Sequence, residues 1–274
     1  MLPRSLPLLA LLAGGVLAGT AAADRLLVAG PDGVVLQATT GDDTFETFAV
    51  CPGPVRALAC DEERLFAADD LGQLFVFERE EGTPLGVLQP AIGAIHALAT
   101  ADGALFAGTE DGLVVRVDRL TGLALEKRAV PGGVRAMLAL DGFLFVTSTD
   151  SGIYRAPAAG GDFAYFSCFC FFNVQMMAAD RGELVVADEF GTVARIDAVT
   201  GEVLTAFFLN GAGVLGLSKR ALLLYYEGGP IPRVDAVTGA PLPGGFTSPL
   251  PVDVMLVIDT PPLAKRLPRR LEPR

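Results

Sequence analysis

A β-propeller of six blades, each of four antiparallel strands, is the fold class that this sequence predicts, and three observations predict it. Six segments, RLLVAG at Arg25, RLFAAD at Arg64, ALFAGT at Ala104, FLFVTS at Phe143, ELVVAD at Glu183 and ALLLYY at Ala221, recur at spacings of 39, 40, 39, 40 and 38 residues. A period near 40 that carries several short apolar strands is the mark of a blade, which needs neighbours to bury its two faces. The third observation is one strand left over at each end, residues 25–30 and 252–259. Pairing these two would close a ring and remove two exposed sheet edges. A β-solenoid would leave both ends uncapped.

In chain order, residues 1–23 read as an export signal. Arg4 supplies the positive start, residues 6–17 a short apolar stretch, and Ala21, Ala22 and Ala23 a small-residue cleavage site before Asp24. So short a stretch cannot span a bilayer, which takes roughly 20 apolar residues. The expected location is secreted or periplasmic, with no integral membrane segment in the mature chain. The propeller occupies residues 24–259. Within one repeat, VRALAC, RLFAAD, GQLFVFE and TPLGVLQ are successive strands, separated by turns at Asp61, Leu71-Gly72 and Gly82. Runs such as residues 74–77 are apolar on both sides of the pleat, as suits a sheet covered on both faces. The first strand of each repeat is rich in Ala and Gly, because innermost strands crowd the axis and only small side chains fit there. The turns RVDRLTG at Arg116, RIDAVTG at Arg195 and RVDAVTG at Arg233 join an Asp that can bond the following backbone to a Gly that tolerates positive φ. Residues 260–274 form a basic, Pro-rich tail of disordered composition.

Residues 24–259 carry 15 Lys and Arg against 31 Asp and Glu, a net charge of −16. Such a body repels nucleic acid. The hydrophobic content of 51% is enough for a large core and excludes a disordered body.

The D-x-x-T-G turns that close V-x-R-V-D strands, at this period and after an export signal, resemble the blades of bacterial PQQ-like, YVTN-type and WD40-type propellers. The resemblance covers residues 25–259 blade by blade and implies a fold and a location only. The chain has no Trp, so the tryptophan docking motif of quinoprotein enzymes is missing. Their adjacent Cys pair is missing too, since Phe169 separates Cys168 from Cys170. Quinoprotein dehydrogenase activity is therefore not expected, and no cofactor is expected.

Aligned at the start of the six first strands stand Arg56, His96, Arg135, Gln175, Leu215 and Asp253. Arg56, His96, Arg135, Gln175 and Asp253 are polar in otherwise apolar strands, and the pseudo-symmetry gathers them round one channel mouth as the candidate ligand-binding set. Guanidinium forks suit a carboxylate or phosphate. The competing reading pairs these side chains with acidic turns on the same face, such as Asp70 and Glu110. The expected function is an exported binding scaffold for a protein or a small anionic ligand, acting as a monomer. The alternative is a lyase or hydrolase with His96 as acid or base. In the fourth repeat, FAYFSCFCFFN gathers aromatics, of which Phe169, Phe171 and Phe172 are candidates for partner contact, with extra core packing as the other reading. One His and no C-x-x-C-H exclude attached haem, and no metal centre is expected.

Overall fold

In a computed structural model, the chain is described over residues 25–39, 44–168, 174–188, 190–209, 215–218, 221–224, 230–248, 252 and 254–258. These residues form six four-stranded antiparallel sheets and no helix. The first sheet holds β1 (Arg25–Ala29), β2 (Val34–Thr39) and β3 (Glu46–Val50), with β24 (Val254–Ile258) beside β1. Next come β4 (Ala57–Cys60), β5 (Arg64–Ala68), β6 (Leu74–Glu78) and β7 (Pro84–Leu88). The third sheet is β8 (Ile95–Ala101), β9 (Ala104–Thr109), β10 (Leu113–Val117) and β11 (Ala124–Ala129). The fourth is β12 (Val134–Leu140), β13 (Phe143–Ser148), β14 (Gly152–Pro157) and β15 (Ala164–Cys168). The fifth is β16 (Val174–Asp180), β17 (Glu183–Asp188), β18 (Thr192–Asp197) and β19 (Val203–Phe208). The last is β20 (Leu215–Ser218), β21 (Ala221–Leu224), β22 (Pro230–Asp235) and β23 (Pro241–Thr247). The innermost strands β24, β4, β8, β12, β16 and β20 touch one another in that order, and β20 touches β24.

The expected clasp of residues 252–259 on residues 25–30 is corrected in its extent: among the described residues, β24 pairs with β1 from Arg25 opposite Ile258 to Ala29 opposite Val254, and Gly30 and Val252 stand outside the strands. Pro230 and Pro232 lie on β22, and proline has no N–H to give a ladder.

The core lies between sheets rather than within one. Six apolar clusters each join two neighbours, and Phe66, Phe106 and Phe145, at one repeat position of β5, β9 and β13, are at most 1% exposed. A second set of ties is made by arginines that each reach into the β-turn of the following sheet. Arg25 Nη1 donates to the carbonyl of Arg79 (2.8 Å), Arg64 to Arg119 (2.9 Å) and Arg128 to Pro157 (2.9 Å). Arg155 donates to Ala198 and Val199 (3.2 and 3.1 Å), and Arg195 to Ala236 (3.2 Å). Each satisfies turn carbonyls that the ladder leaves open. Arg155 lies over the rings of Phe143 and Phe166, and Arg128 over Phe106 and Phe163. Of the described aromatics in residues 163–168, Phe163 and Phe166 thus pack inward against arginine, while Tyr165 is 61% exposed.

The D-x-x-T-G turns form as their residues dictate. Asp118, Asp197 and Asp235 each accept two backbone N–H groups, and each turn closes on a glycine at φ of 71 to 78°.

Candidate functional site

The innermost strands start with a shared irregularity. In β8, β12 and β16 the pairing register slips by one residue between Ile95 and Ala97, Val134 and Ala136, and Val174 and Met176. The bulged residues are His96, Arg135 and Gln175. Arg56 stands at the same place beside β4, its N–H bonded to the carbonyl of Ala68. A bulge leaves one residue unpaired and re-aims its side chain, which is how polar groups stand here without breaking the apolar alternation below.

Arg56, His96, Arg135 and Gln175 all line one axial cavity of about 610 Å³. Below them its wall is Ala, Leu and Met from β4, β8, β12, β16 and β24, with Cys60 and Thr100 toward the far end. The Thr100 hydroxyl is occupied, donating to the Cys60 carbonyl at 2.6 Å. No carboxylate lines the cavity among the described residues. Asp253, Phe169, Phe171 and Phe172 lie outside the described residues.

The three basic members of the set are not equivalent. Arg56 donates through Nε to both oxygens of Asp70, at 2.8 and 3.0 Å, and this bond holds the Asp70 carboxyl below its ordinary range. His96 Nε2 stands 3.8 Å from Glu110, beyond hydrogen-bond reach. At the same repeat position in the fourth sheet stands Thr149, whose hydroxyl accepts the N–H of Gly133 (2.9 Å). Arg135 makes no ion pair among the described residues, although Asp150 follows Thr149 in its turn, and its buried Nε has no hydrogen-bond partner, as is true of Arg79, Arg116 and Arg128. What sets Arg135 apart is its place on the cavity wall, where its guanidinium fork can meet an acceptor. The alignment signalled the ring, and the turn position held by Asp70, Glu110 and Thr149 signalled which member is unmatched. That second comparison needs the register, so sequence reasoning missed Thr149.

Cys168 is disulfide-bonded, whereas Cys51 and Cys60 are free thiols. Burial pushes the Cys51 thiol up to about 12 and raises that of Cys60 as well.

No family model matches the sequence, and no curated protein matches it. Solved structures do. The chain is similar to the WD40 β-propeller domain of Doa1, with a TM-score of 0.65 and 16% identity over 86% of each chain. It is similar to a chain of the nidogen/laminin complex, with a TM-score of 0.72 and 12% identity over 86% of this chain and 98% of that one. The computationally designed Ika8 protein gives a TM-score of 0.55 and 19% identity over 73% of this chain and 64% of its own. At these identities the likeness carries the fold alone. This chain is a β-propeller similar in fold to a WD40 domain, and no helix of its described residues is long and apolar enough to cross a membrane.

Proposed function

We propose that this chain is an exported binding scaffold, secreted or periplasmic, that acts as a monomer and grips a protein or small anionic ligand at the mouth of its axial cavity. The observation that carries this reading is the bulge ring. Four polar side chains from four sheets converge on one cavity, and one of them, Arg135, holds an unmatched donor. A cavity of this size with few convergent polar groups is typical of small-ligand sites. The Cys168 disulfide supports an oxidising compartment, where such bonds persist.

Titration of the full chain with acetate and with inorganic phosphate, followed by the arginine Nε–Hε NMR signals, tests the site. A saturable shift of the Arg135 signal is expected, and in Arg135→Met the remaining mouth arginine, Arg56, should show no saturable shift. No shift at any mouth arginine contradicts the reading.

The second reading, a lyase or hydrolase with His96 as acid or base, draws on the Glu110 carboxylate 3.8 Å away. Substrate turnover abolished by His96→Gln, with anion binding intact, would favour it over a binding role.

A further inference from the structure

The charge on the mouth face is sorted by radius. The hairpin turns after β1, β5, β9 and β13 place Asp32, Asp70, Glu110, Asp111 and Asp150 on this face, all exposed. The described turns and strand entries there carry no Lys or Arg except Arg56 and Arg135, and both of these line the cavity. A cationic centre thus sits inside an acidic collar. A small dianion meets the collar's repulsion before it reaches the guanidinium, and a purely cationic segment gains nothing from the centre. The complementary ligand leads with one negative charge and trails positive ones.

Resting on the mouth reading above, we infer that the ligand is the C-terminus of a basic polypeptide, its α-carboxylate on Arg135 with Gln175 alongside, and its Lys or Arg side chains on the collar. A carboxylate matches the planar fork of Arg135. The apolar wall of Ala, Leu and Met accepts the last side chain, methionine adapting to its shape. The unequal pairing within the ring sets the position. Asp70 already engages Arg56, so the fourth-sheet side of the mouth takes the carboxylate.

The test uses fluorescence anisotropy on the full chain with an N-labelled five-residue peptide that carries Lys and Arg at its second and third positions and ends in a free leucine carboxylate. Its C-terminal amide and a version with Gln in place of both basic residues are the comparisons. The amide is expected to bind about tenfold or more weakly. In Arg135→Met, acid and amide should become equal, and in the double variant Glu110→Gln with Asp111→Asn the preference for the basic over the Gln peptide should shrink. If the Gln peptide binds as well as the basic one and still requires Arg135, the inference fails while the mouth reading stands. If the free acid and the amide bind alike and Arg135→Met changes neither, the inference is overturned. Silence of acetate in the NMR titration as well would overturn the mouth reading with it.

Discussion

Replacing Arg195 by Met removes a buried cation while keeping most of its apolar stem, and the structure sets the cost. The Arg195 side chain is 8% exposed; its Nε donates to Glu183 (2.6 Å), its Nη2 to Asp180 (3.1 Å) and its Nη1 to the Ala236 carbonyl of the following sheet. Breaking a buried pair by removing one partner costs about 3–5 kcal/mol, because a carboxylate is left desolvated and alone. Here Asp180 is 13% exposed and keeps Arg181 at 3.9 Å, and Glu183 is 29% exposed and can rehydrate. The lower end, about 3 kcal/mol, therefore applies. For a domain of this size that is a fall in Tm of about 6–12 °C. Urea and thermal melts at pH 7 give the value. The variant that also carries Asp180→Asn and Glu183→Gln should recover part of the loss, since no charge is then stranded. A single variant within about 1 kcal/mol of the parent, or a triple variant as unstable as the single, would refute the reasoning.

Three further outcomes follow from other contacts. Burial works against ionising Asp61, yet the N–H of Glu63, the Arg119 guanidinium and the N–H of Arg64 together hold its carboxyl below the ordinary range, and Asp70 is lowered by Arg56. A depressed folded value means stability that is present above about pH 4 and lost as pH falls through the lower value, so melts should be level from pH 7 to 5 and drop steeply below 4. Burial, with the Asp150 carboxylate accepting a hydrogen bond from its hydroxyl, pushes the Tyr154 phenol up to about 12, so an ultraviolet titration should find Tyr154 still protonated at pH 11, its contribution identified by difference from Tyr154→Phe. Gly72 has φ of +76°, and a Cβ there would lie 2.2 Å from the Gly93 carbonyl oxygen. Gly72→Ala should cost about 2 kcal/mol or more in a denaturant melt, and a smaller loss means the hairpin yields.

Much of this fold is legible in the sequence because it is repeated. The six segments from Arg25 to Ala221 begin β1, β5, β9, β13, β17 and β21, each at the residue where its motif starts. Pattern alone places them, since buried second strands need a continuous apolar run and get one in every repeat. The ring residues Arg56, His96, Arg135 and Gln175 were visible for the same reason, as polar interruptions at a fixed offset. The inter-sheet arginines were not. Arg64 and Arg195 look like ordinary strand residues until the next sheet brings a turn carbonyl to them from 55 and 41 residues away. The split within the ring was hidden likewise, because it depends on which turn residue faces each bulge: Asp70 engages Arg56, and Thr149 leaves Arg135 open.

The central claim is that Arg135 makes the cavity mouth the binding site. A crystal structure of the full chain with the basic free-acid peptide tests it most directly. The account predicts the peptide carboxylate about 3 Å from the Arg135 guanidinium, with the basic side chains over Glu110 and Asp111. A peptide bound along an outer strand, with the Arg135 donor still bare, would contradict it.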